Sequence, residues 1–109
     1  MPKYLFQVSY APQGIQGLQK EGGVARRAAV QRLMDQVGGK LETFYFAFGE
    51  ADAYTIAELP DASTAAAVSL AVNAVGLAKL RTIPLMTPEE LDVAAKQAVD
   101  YRPPGSAGR

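Results

Sequence analysis

The chain has 109 residues, with 11 basic and 11 acidic side chains and neither histidine nor cysteine. Without cysteine there is no thiolate or disulfide chemistry, and without histidine the commonest metal ligand and general base are missing. Zero net charge, with no basic stripe between aromatics, argues against a nucleic-acid partner.

Strand signals come first. Residues 3–10, KYLFQVSY, are aromatic and β-branched and read as a strand ended by Pro12. Residues 13–21 carry a weak helical pattern through Ile15 and Leu18, which Gly22-Gly23 interrupts. Residues 24–37 read as a helix with Val30, Leu33, Met34 and Val37 on one face and Gly38 as its stop. Residues 40–48 and 53–59 are two more strands, joined by the short GEADAY turn as an antiparallel hairpin. Asp61 caps a helix over 62–75, and Gly76 ends it. A fourth strand over 77–86 contains Pro84, which argues for an edge strand or a bulge. Thr87-Pro88-Glu89-Glu90 is a helix start, and the last helix is expected over 88–99.

This β-α-β-β-α-β order predicts a ferredoxin-like α+β fold: a four-stranded antiparallel sheet, two helices on one face, and a C-terminal helix. The length suits one domain, expected over 1–101, with 102–109 as an extended or disordered tail. Neither a signal peptide nor a membrane span is evident, so the expected location is cytoplasmic.

The second strand alternates Leu41, Thr43, Tyr45 and Ala47 with Glu42, Phe44, Phe46 and Phe48. Both sides are largely apolar, so a solvated face is not expected. In the 62–75 helix, Ser69 and Asn73 form one thin polar line past the first turn, which predicts burial on more than one side. Both patterns point to a homodimer or higher homo-oligomer with sheet packed on sheet.

The candidate binding residues are Asp52, Tyr54, Tyr45, Arg81 and Arg26. Asp52 is a turn residue bonding its own backbone, a base or cation ligand next to Tyr54, or a contact between copies in an oligomer. Tyr45 and Tyr54, with Tyr4, Tyr10, Phe44, Phe46 and Phe48, are core or dimer interface, or line a pocket for a flat apolar ligand. Arg81 lies on a strand and either pairs with Glu42 or Glu58 or meets a ligand. Arg26 stands with Lys20 and Arg27 around Gly22-Gly23, either as solvated charge or as an anion site. No metal site and no cofactor is expected.

Several stretches together resemble the GYD-domain family of small bacterial proteins: KYLFQVSY, KEGGVARRAAV, FYFAFGEADAY, AAAVSLAVNAVG, MTPEE and VDYRPPG. The Gly and Asp of the family's hairpin motif match Gly49 and Asp52, while the tyrosine position is Ala51. The resemblance covers nearly the whole chain. It implies a ferredoxin-like dimeric α+β barrel and no settled activity. A looser likeness runs to amino-acid-sensing domains of the Lrp/AsnC type, which bind small effectors at subunit interfaces. The leading expectation is an oligomeric small-molecule binding module. The alternatives are a cofactor-free enzyme of the barrel class and a structural or protein-interaction oligomer.

Overall fold

The structure is a computed structural model that describes residues 1–105. Its elements are β1 (Lys3–Tyr10), α1 (Pro12–Glu21), α2 (Gly23–Gln36), β2 (Lys40–Phe46), β3 (Ala53–Glu58), α3 (Ala62–Val75), β4 (Ala78–Leu85) and α4 (Pro88–Ala95). The fold is α+β. Its sheet has four strands in the order β2-β3-β1-β4, and every neighbouring pair is antiparallel. β4 is an edge strand, which is where Pro84 is tolerated.

Helices α2 and α3 cover one face. Tyr4 and Phe6 of β1, Ala57 of β3, Leu59, and Leu80 of β4 pack there against Met34, Ala65 and Val68. β3 shows the period most clearly: Ala53, Thr55 and Ala57 are buried, and Tyr54, Ile56 and Glu58 are half-buried on the other face.

Four expectations are corrected. The weak pattern at 13–21 is a full helix, α1, because Ala11 is extended at its N-cap and Pro12 opens it without needing a donor. Its boundary with α2 is Gly22, at φ 88°. β2 stops at Phe46 instead of Phe48: the Ala47 N–H still reaches the Asp52 carbonyl, but the Asp52 N–H donates to the Val8 carbonyl of β1 and does not return the bond to Ala47. A β-bulge between Leu41 and Thr43 breaks the alternation of β2. It puts Leu41 opposite Ala57 and Phe44 opposite Thr55, on the helix side, while Thr43 and Tyr45 go to the other face. Finally, α4 ends at Ala95, so residues 96–99 are not helical. No residue of α4 is buried, so no packing prolongs it. Part of the expected tail, residues 106–109, lies outside the described residues.

Inside one chain α3 buries one side only, at Ala65 and Val68, and leaves Leu70 and Val75 exposed. Its Asn73 has a specific task. The side-chain oxygen accepts the Leu80 N–H at 2.7 Å, and the side-chain nitrogen donates to the Leu80 carbonyl at 3.2 Å. The amide thus takes up the strand-pairing groups of Leu80 that edge strand β4 would otherwise leave open.

Candidate functional site

The sheet's second face has no element over it among the described residues. Pairing lines its residues into rows. Tyr45, Tyr54, Gln7 and Arg81 form one row across β2, β3, β1 and β4. Thr43, Ile56, Leu5 and Ile83 form the next. Three of the five candidate residues therefore share this open face.

Arg81 does not pair with Glu42 or Glu58. Strand order puts it on the opposite edge from β2, and Lys3 of β1 takes both acids instead, with Glu58 at 3.5 Å. Carboxylate contact from Glu42, then Glu58, raises the Lys3 amine above its ordinary pKa.

Asp52 sits where β3 begins. Its backbone N–H donates to the Val8 carbonyl at 2.7 Å, and its carboxylate accepts the Tyr10 N–H at 2.8 Å. The side chain thus adds a rung between β3 and β1, just beyond the last backbone pair, Val8 with Ala53. The expected bond to the turn's own backbone is replaced by this cross-strand bond.

Arg26 lies on the helix side. Its Nε is 2.5 Å from Glu21 Oε2, so this cation already has a partner. The glycine pair beside it has a packing reason, since a Cβ on Gly23 would come within 2.9 Å of the Phe46 ring.

Arg26 also stands where two cavities adjoin. The inner one, of about 110 Å³, lies between sheet and helices and is lined mainly by apolar side chains, including Phe6, Met34, Phe44, Val68 and Leu80. The outer one, of about 400 Å³, runs along α1 to Leu77. They share Tyr10, Arg26, Leu33, Val72 and Ala78. At this junction burial raises the Tyr10 phenol above its usual pKa; Arg26 opposes the shift, and Glu21 and Asp52 add to it.

Thr55 is among the residues lining the inner cavity. Thr55 is 2% exposed, and its hydroxyl has no hydrogen-bond partner among the described residues. An unpaired buried hydroxyl costs on the order of 1–3 kcal/mol. Sequence reading missed Thr55 because threonine in a strand is ordinary, and only the cavity makes it conspicuous.

The family model of the GYD domain matches residues 4–95. The chain belongs to the GYD-domain family. No curated protein and no solved structure matches it. Within this GYD domain the hairpin motif's Gly49 is exposed and its Asp52 makes the rung to β1. Ala51, at the tyrosine position, is buried. Among the described residues of the GYD domain, no helix is long and apolar enough to cross a membrane, and no group of three acids could hold a metal ion.

Proposed function

We propose that this GYD domain is a homo-oligomeric, cytoplasmic module that binds a small apolar molecule between its sheet and its helices. One domain over 1–101 adopts the ferredoxin-like arrangement, which the strand order β2-β3-β1-β4 supports. Two copies pack open face to open face as a dimeric α+β barrel. The row of Tyr45, Tyr54 and Arg81 belongs to that interface, together with Leu5, Ile56 and Ile83.

The observation that carries the binding reading is Thr55. A buried, unpartnered hydroxyl in the wall of an apolar cavity suits a ring-sized molecule with one hydrogen-bonding group. An apolar cavity of about 150 Å³ takes benzene, so the inner cavity with part of the outer one has room for such a ring. Arg26, Glu21 and Tyr10 at the junction then face the ligand's outer end.

Calorimetric titration tests this with phenol and benzene as probes. Wild type is expected to bind both. Thr55→Val is expected to weaken phenol about five- to tenfold, the loss of one hydrogen bond of about 1 kcal/mol, and to leave benzene unchanged. Absence of binding by either probe overturns the reading.

A further inference from the structure

α4 stands apart from the rest of the chain. All of its residues are exposed, Leu91 at 57% and Val93 at 64%. The described chain measures 62 × 30 × 24 Å, with a radius of gyration of 17.8 Å. A compact chain of this length has about 13 Å. Yet the helix is carefully begun. The Thr87 hydroxyl accepts the Glu90 N–H, the Glu90 carboxylate accepts the Thr87 N–H, and Pro88 follows the cap. Eight residues are too few for a stable helix in water, since isolated helices below about 12–15 residues are marginal. A built start on an uncovered helix calls for a surface to lie on.

The open sheet face supplies one of matching charge. Lys79 and Arg81 of β4 point the same way, two positions apart, and have no ion-pair partner among the described residues. Glu89 and Asp92 of α4 lie three apart on one side of the helix, and they too have no such partner. Ala95 lies next to Asp92, and Leu91, four residues before Ala95, continues that flank of the helix. Area gives a second reason. Four strands of about seven residues present a footprint of roughly 450 Å². A stable pair covers about 800 Å² on each partner, so sheet against sheet leaves room for an added contact.

We infer that α4 is an exchanged arm: the α4 of one copy lies along the β4 margin of a second copy's open face, with Glu89 and Asp92 against Lys79 and Arg81. This rests on the homo-oligomeric reading above. Leu85, where β4 ends, lies roughly 13 Å along the strand from Arg81, and within one copy the described residues show no ion pair between the acids of α4 and Lys79 or Arg81, which leaves those cations to the arm of a second copy.

Charge reversal in two separate proteins tests the exchange. One carries Lys79→Glu and Arg81→Glu, the other Glu89→Lys and Asp92→Lys. Each alone sets like charges against each other at both arms of a dimer. A one-to-one mixture restores opposite charges at both arms, but only if the contact runs between copies. Sedimentation at low salt is expected to show each variant's dimer weakened tenfold or more, and the mixture within about threefold of wild type. Circular dichroism checks that both variants fold, and Leu91→Asp in the wild-type background gives an independent loss of dimer. If wild type is a monomer at 100 μM, as an upper concentration of about this order, both this inference and the homo-oligomeric reading fail. If wild type is a dimer and neither variant weakens it, the exchanged arm alone is wrong. If each variant is weakened and the mixture is not restored, the arm lies on its own sheet, and the exchange is again wrong.

Discussion

The carboxylate of Asp52 accepts the backbone N–H of Tyr10 at 2.8 Å and so extends the β1–β3 ladder with a side chain. The bond is part-buried and joins residues 42 positions apart. Asp52→Ala leaves the Tyr10 N–H without its acceptor and is expected to cost about 1–3 kcal/mol. Asp52→Asn keeps an acceptor oxygen and is expected to cost less than half as much. Denaturant unfolding of the three proteins checks the order. An alanine variant as stable as wild type would remove the rung from the account.

Asn73 offers a parallel case on the other side of the sheet. Asn73→Leu removes both bonds to Leu80 and opens the β4 edge. The expected loss is about 1–3 kcal/mol, together with more aggregation on heating, since an open edge invites strand pairing. Unfolding curves and turbidity measure the two effects separately. Unchanged values of both would show that the clamp is idle.

Much of this fold was legible in the sequence. All four strands and the 62–75 helix follow from alternation, Asp61 and Gly76, while Pro84 left an edge or a bulge open for β4 until the strand order put it at the edge. What escaped was set by pairing between distant residues. The bulge at Leu41–Thr43 exists only relative to Ile56 and Ala57, so local alternation put Leu41 and Phe44 on opposite faces. The partners of Arg81 depended on strand order, which Lys3 resolved by holding Glu42 and Glu58. Tyr45, Tyr54 and Arg81 were rightly grouped in the sheet, but their common row needed the register. Thr55 had no sequence signal, because a cavity is a property of what surrounds a residue.

Stability should be flat between pH 6 and 8 and fall outside the neutral range on both sides. No histidine titrates in between. The raised Tyr10 and Lys3 groups contribute stability that is full below their ordinary values, near 10, and is lost as pH rises through the folded values. Asp61 works in the opposite direction. Hydrogen bonds from the Thr64 backbone, then its hydroxyl, hold its carboxyl below the ordinary carboxylate value. Its contribution is present above that value and is lost as pH falls through the folded one. Thermal midpoints at pH 3 to 11 check the shape, and a steep slope inside the range from about 6 to 8 would contradict it.

The most direct test of the binding site compares thermal unfolding of wild type and Thr55→Val with and without phenol. Without phenol the valine variant should be the more stable, by about 1 kcal/mol, because it removes an unpaired buried hydroxyl. With phenol at about a hundredfold over its dissociation constant from wild type, wild type should gain about 2.7 kcal/mol and the five- to tenfold weaker variant about 1.4–1.8 kcal/mol, so that the variant's lead closes to roughly zero. A wild type that gains no stability from phenol, or a variant that gains just as much, would contradict a ligand held by Thr55.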